Sequence, residues 1–90
     1  MSGSLPNLRH LAGLAEVTRQ RTLSAAAERI NLSQPALTQG LARIEAALGL
    51  PLFLRRAGGL VPSEGGEIYL RRVERGVRSL QRAARALARP

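Results

Sequence analysis

Ser33-Gln34-Pro35-Ala36-Leu37-Thr38-Gln39-Gly40-Leu41-Ala42-Arg43-Ile44-Glu45-Ala46-Ala47-Leu48-Gly49 is the stretch whose reading decides how this chain folds. It has a helix start and a helix stop. Ser33 is an N-cap, because its hydroxyl can accept from a free amide of the first turn. Pro35 falls in that turn, where a missing N–H costs little. Gly49 is suited to the left-handed residue that closes a helix. Leu37, Leu41, Ile44 and Leu48 recur at helical spacing and predict one buried stripe. Pro35, Gln39, Ala42 and Ala46 lie opposite it, with Gln34 and Thr38 at its flank. The outward face is therefore amide, hydroxyl and small, with no acid before Glu45. Such a face can be laid into a groove and read hydrogen-bonding edges. An ordinary amphipathic surface helix has the same pattern.

Working back toward the N-terminus, Leu8, Leu11, Ala12 and Ala15, widened by Leu14 and Val17, predict a helix over about 7–20 with Asn7 as its cap. Gln20-Arg21-Thr22-Leu23 reads as a polar connection. Ser24 is placed as the cap of a short second helix, Ala25 to about Asn31. There Ala26 and Ala27 allow a close crossing and Ile30 faces the core. Asn31-Leu32-Ser33 is a turn, since Asn tolerates left-handed backbone, and Leu32 can plug between helices. A short helix, a tight turn and a longer helix make a helix-turn-helix. A plain helical hairpin would look similar.

Beyond Gly49, Leu50-Pro51-Leu52-Phe53-Leu54-Arg55-Arg56 reads as a strand, Ala57-Gly58-Gly59 as a turn and Leu60-Val61-Pro62 as the return strand. Such short strands need support, so Phe53 is expected to pack on the helices, with Arg55 and Arg56 near the tip. Ser63 caps a last helix running to about Ala88, with Glu64 and Glu67 in its first turn. Leu70, Val73, Val77, Leu80, Ala84 and Leu87 follow a seven-residue repeat, the signature of a helix seam. About 25 residues make a rod of roughly 38 Å, too long for one small core to cover. The exposed part of the seam is expected to pack against a second copy.

Ninety residues make one small domain with a net charge of +8. All 14 basic residues are Arg, and Asp is absent. The charge favours a polyanionic partner, nucleic acid or an anionic membrane surface, against the plainer reading of a merely basic protein. No cysteine and a single histidine leave no disulfide framework and no metal-ligand cluster. His10 reads as a surface position on the first helix. With no Cys, no Asp and six scattered Glu, no catalytic constellation forms, and neither an enzyme nor a cofactor is expected. No apolar run approaches the ~20 residues of a membrane span, and no signal peptide is visible, so a soluble cytoplasmic protein is expected.

From Leu8 onward the chain resembles the N-terminal DNA-binding domain of LysR-type transcriptional regulators. The resemblance is carried by residues 23–38, from Leu23-Ser24-Ala25-Ala26-Ala27 through Ser33-Gln34-Pro35-Ala36-Leu37-Thr38. It continues in Ile44-Glu45-Ala46-Ala47-Leu48-Gly49, Leu52-Phe53-Leu54-Arg55 and Leu60-Val61-Pro62-Ser63-Glu64-Gly65-Gly66. It implies a mainly α fold: a winged helix-turn-helix of three helices and a β-hairpin wing, then a long linker helix that pairs with a second subunit. The division expected is a flexible 1–6, a DNA-binding unit 7–62 and a linker and dimerisation helix 63–90. By the same resemblance, Gln34, Pro35 and Thr38 sit where the recognition helix meets the major groove, Ser33 at its start near phosphate and Arg55 at the wing. Gln39, Arg43 and Arg56 complete the expected DNA-binding set. The function implied is sequence-specific binding of double-stranded DNA by a homodimer that regulates transcription in a bacterial cytoplasm, at the nucleoid. A small-molecule effector would act only through a C-terminal domain absent from this chain, which is expected to be cut from a longer regulator. Two departures stand out. Gln39 occupies a position that is often Arg, and Gly58 one that is commonly basic; Arg56 could compensate for the second. The alternative is a dimerisation or protein-interaction module that uses the seam as its only functional surface. Membrane binding through the arginine face of the last helix fits less well, because the apolar seam is narrow.

Overall fold

Among the described residues, every helix begins at a short polar side chain that takes up free amides. In the computed structural model, which describes residues 7–88, the elements are α1 (Leu8–Gln20), α2 (Leu23–Arg29), α3 (Gln34–Leu48), β1 (Phe53–Arg56), β2 (Gly59–Pro62) and α4 (Glu64–Leu87). The expected flexible segment 1–6 lies outside the described residues. Asn7 Oδ1 accepts from the amides of Arg9 at 2.8 Å and His10 at 3.2 Å. Ser33 Oγ accepts from Ala36 N at 3.2 Å and Ser63 Oγ from Gly66 N at 2.9 Å. The second helix departs from expectation. Thr22, not Ser24, is its cap: Thr22 is extended, at φ −137° and ψ 151°, and its hydroxyl accepts from Ala25 N at 3.1 Å. Leu23 thereby moves out of the connection into the helix and packs on the core. The helix ends at Arg29, and Asn31 takes the left-handed turn position at φ 59°.

The core gathers Leu14 and Val17 of α1, Ala26 and Ala27 of α2, Leu37 and Ile44 of α3, Leu52 and Phe53 at the wing, and Leu70 of α4. Two glycines set how α1 and α3 cross. A Cβ on Gly13 would meet Leu37 Cδ1 at 2.7 Å, and one on Gly40 would meet His10 Nδ1 at 2.7 Å. Each helix thus offers one bulky residue and, three positions on, one bare backbone to the other. His10 is accordingly a half-buried packing residue rather than a plain surface position.

Both predicted stripes lose an end. Leu8 is exposed although it shares a face with the buried Ala15, because it lies in the first turn of α1, ahead of the crossing at His10 and Gly13. Leu48 is 40% exposed. It lies beyond the crossing with α1 and joins Leu50, Gly65, Ile68 and Tyr69 along a shallow apolar groove.

β1 and β2 pair antiparallel, Phe53 with Pro62 through Arg56 with Gly59. The turn is therefore Ala57-Gly58, and Gly59 belongs to the return strand. The first strand starts at Phe53 rather than Leu50 because the preceding backbone is committed elsewhere. Pro51 has no N–H. The Leu52 amide donates to Glu45 Oε2 at 2.7 Å, and its carbonyl accepts from Ser63 N at 2.9 Å. Leu52 is 0% exposed and anchors the wing at least as firmly as Phe53.

α4 starts inside the core and leaves it. Leu70, expected at the head of the seam, is buried by its own domain, and Val73 and Val77 are half-buried. Leu80 is 53% exposed and Leu87 86% exposed. Among the described residues no helix is long and apolar enough to cross a membrane.

Candidate nucleic-acid interface

The outward surface of α3 is open along its whole length. Gln34, Pro35, Thr38, Gln39, Ala42, Arg43 and Ala46 are all exposed, as is the capping Ser33. Gln34 Nε2 donates to Thr38 Oγ1 at 3.2 Å, so the two side chains hold one another one turn apart. That bond leaves the Gln34 carbonyl oxygen free to accept and the Thr38 hydroxyl free to donate. Gln39 and Arg43 continue the face, with Arg43 at its far edge, about 180° around the helix from Gln34. Leu37 and Ile44 on the opposite side are buried, which fixes the rotation of the helix about its axis.

The approach to α3 is tied from α1. Arg9 Nη2 donates to the carbonyl of Asn31 at 2.6 Å, and Leu32 N donates to Ala27 O at 2.8 Å. Leu32 packs against the core between these bonds. An arginine that composition alone counts as net charge is here a clamp on the turn.

Arg55 and Arg56 are exposed at the wing. The wing is held on both sides. Glu45 takes the Leu52 amide on one side. On the other, Arg21 accepts from Leu60 N through its carbonyl at 2.8 Å and donates from Nε to Leu60 O at 3.1 Å. Sequence reading passed over both residues. The one available signal for Arg21 was its place between two helices, where a left-handed residue often ends the first.

Arginines of α1 and α2 engage two of the acids, Glu16 and Glu74. Glu16 is buried, accepts from Arg19 at 2.9 Å and from Gln20 at 2.8 Å, and has Arg29 at 3.9 Å. Arg19 also reaches Glu74 of α4 at 2.5 Å and so joins α1 to the last helix. Arg43, Arg55 and Arg56 have no carboxylate partner among the described residues.

Burial acts to raise the Glu16 pKa. Hydrogen bonds from Arg19 and Gln20 and the charges of Arg19 and Arg29 outweigh it and hold the carboxyl below its ordinary 4.5. Arg19 is raised in turn, first by its hydrogen bonds to Glu16 and Glu74. A carboxyl whose folded value lies below its unfolded one adds stability that is complete above the unfolded value and lost as pH falls through the folded one. The melting temperature is therefore expected to fall as pH drops below about 4.5, and Glu16→Gln to flatten that fall. Melts of both proteins across acid pH check this; identical pH profiles would remove the cluster from the explanation.

Among the described residues no group of His, Cys, Asp or Glu is placed to hold a metal. Three helices, a tight turn before an open third helix and an arginine-bearing hairpin define a winged helix-turn-helix protein.

The chain matches the bacterial regulatory helix-turn-helix proteins of the lysR family over residues 8–67, and it belongs to that family. It is 37% identical over 75 residues to the HTH-type transcriptional regulator PcaQ of Agrobacterium fabrum, covering 83% of this chain and 24% of that protein. It is 39% identical over 84 residues to the small neutral protease regulatory protein of Streptomyces coelicolor, covering 90% of this chain and 26% of that protein. This chain thus spans about a quarter of the length of the curated relatives it matches. Among solved structures, the CbnR DNA-binding domain in complex with DNA superposes with a TM-score of 0.76 at 30% identity, over 92% of this chain and 99% of that one. Oxidised OxyR of Corynebacterium glutamicum shares the fold at a TM-score of 0.84 and 22% identity, over 98% of this chain and 28% of that one.

Proposed function

We propose that this chain binds double-stranded DNA sequence-specifically and regulates transcription as a homodimer. The observation that carries the reading is the open face of α3, with Gln34 and Thr38 held together beside unpaired wing arginines. The likeness to a DNA-binding domain solved on DNA supports it. Residues Gln34 to Gln39 would enter the major groove, where amide and hydroxyl side chains read base edges. Ser33, Arg43, Arg55 and Arg56 would grip phosphate. Residues 7–62 form the reading unit and 63–90 the linker and dimerisation segment, with the first turns of α4 serving both. The protein acts in the cytoplasm, at the nucleoid, without catalysis or cofactor. Effector control would come through the length its relatives have beyond this match.

The test is fluorescence anisotropy on duplexes selected from a random pool, titrated across salt. Each neutralised phosphate is expected to add about −0.9 to the log–log slope. Arg55→Ala is expected to weaken selected and random duplexes alike. Binding with no salt slope and no site preference would end the proposal.

The exposed Leu80 and Leu87 favour a second component, self-association through α4. Leu80→Glu is expected to leave the fold of each subunit intact, because Leu80 lies outside the core, and to lower the melting temperature only by the concentration-dependent stabilisation that association adds. It is expected to yield a monomer in sedimentation and to lower affinity for a two-half-site duplex by roughly 100-fold. A protein that associates through this seam but shows no DNA affinity would instead be an interaction module.

A further inference from the structure

Arg21 is tied to the wing at more points than a connecting residue needs. It ends α1 in the left-handed region at φ 73°, which non-glycine residues enter at an energetic cost. Its carbonyl and its Nε both engage Leu60, the one accepting from the amide at 2.8 Å and the other donating to the carbonyl at 3.1 Å. Leu60 is also the ladder partner of Arg55. β2 is therefore flanked by Arg55 on one edge and by Arg21 on the other.

The rest of the Arg21 guanidinium lies along the turn. Nη2 stands 3.1 Å, and Nη1 3.9 Å, from the point a Cβ on Gly58 would occupy. A side chain at 58 would crowd it, so the bare glycine makes its room. Gly59 is bare for a related reason: at φ 119°, its Cβ would come within 2.6 Å of the Arg21 carbonyl oxygen. Of the five guanidinium N–H groups, only Nε–H has a hydrogen-bond acceptor among the described residues, and no carboxylate pairs with the charge. Arg21 is half-buried, and Gly58 beside its guanidinium is exposed. A planar cation pinned through Nε, with both terminal nitrogens unspent, is preorganised for a two-point grip on a phosphate.

We propose that Arg21 is a third phosphate-binding residue of the wing, supplied from the α1–α2 connection, with Gly58 left bare to admit its guanidinium. The assignment rests on the DNA-binding reading and adds to it a contact that comes from outside the hairpin.

The test compares the full chain with Arg21→Gly and Arg21→Lys on one selected and one random duplex across salt, with thermal melts alongside. Arg21→Gly removes the cation while suiting the left-handed backbone, so folding is expected to persist. Its salt slope is expected to be shallower by about 1.8 for the dimer, one phosphate from each subunit, with affinity for both duplexes down about 30-fold at 0.15 M salt. Arg21→Lys keeps a charge without the Nε donor and is expected to retain the wild-type slope. An Arg21→Gly slope equal to wild type, at whatever affinity, overturns the assignment and leaves Arg21 a structural clamp. A wild-type protein without any salt slope fails earlier, at the DNA-binding reading itself. Should Arg21→Gly not fold, the slope of Arg21→Gln decides in the same way.

Discussion

Gly66→Ala is expected to lower folding stability by about 3 kcal/mol, the upper part of the usual range for forcing a group into a packed site. Gly76→Ala, ten residues along the same helix, is expected to raise it by up to about 1 kcal/mol. The contrast comes from what each glycine faces. Nothing lies within 4 Å of a Cβ at Gly76. At Gly66 a Cβ would overlap the carbonyl oxygen of Leu52, which is backbone and cannot rotate aside. That carbonyl accepts from Ser63 N at 2.9 Å, and Ser63 Oγ in turn donates to Pro51 O at 2.6 Å. To admit a methyl group, α4 must lift from the strand entry. Lifting it withdraws Leu70 from a core that it shares with the fully buried Leu52. Urea unfolding of the two variants and the wild type reads both signs. Equal stability for Gly66→Ala would mean that α4 does not approach Leu52 this closely.

Gln34→Ala and Thr38→Ala are each expected to cost about 1–3 kcal/mol at a selected duplex, which is roughly 5- to 150-fold in affinity. Both are expected to leave random-duplex binding nearly unchanged. Because Gln34 Nε2 bonds to Thr38 Oγ1, the two side chains act as a pair. The double variant is therefore expected to cost less than the sum of the singles. Strict additivity would show that the bond does not survive on DNA. Equal losses on selected and random duplexes would reassign both residues from base reading to phosphate gripping. Gln39 offers a separate handle, since Gln suits adenine and Arg suits guanine. Gln39→Arg is expected to move the preferred base at one site position toward guanine, which reselection from a random pool would reveal.

Much of this architecture is written in short-range pattern. Asn7, Ser33 and Ser63 cap helices because a cap needs only the next two or three amides. Gly49 at φ 75° and Asn31 at φ 59° stop or turn the chain for reasons internal to one residue. The exposed face of α3 follows from its spacing, because the apolar side must turn inward whatever it meets. The hairpin is legible from its glycines. The choice of Thr22 over Ser24 was not, since both can cap and only the extended backbone at Thr22 separates them.

What the sequence by itself determined is therefore local: four helices, a two-stranded wing, the outward face of Gln34, Pro35, Thr38 and Gln39, and membership of a winged family through its motifs. Which residues hold those pieces together was decided only by the tertiary structure. Arg21 meets Leu60 across 39 positions, Arg9 meets Asn31 across 22, and Arg19 meets Glu74 across 55. An arginine looks the same in a string whether it clamps a turn, pairs with an acid or faces phosphate. Its partner is chosen by the crossing of helices, and that crossing depends on where Gly13 and Gly40 make room for Leu37 and His10. The same packing explains why Leu70 is buried while Leu80 and Leu87 on the same stripe are bare. Periodicity states which side of a helix is apolar, but only the reach of the core states how far along it that side is covered.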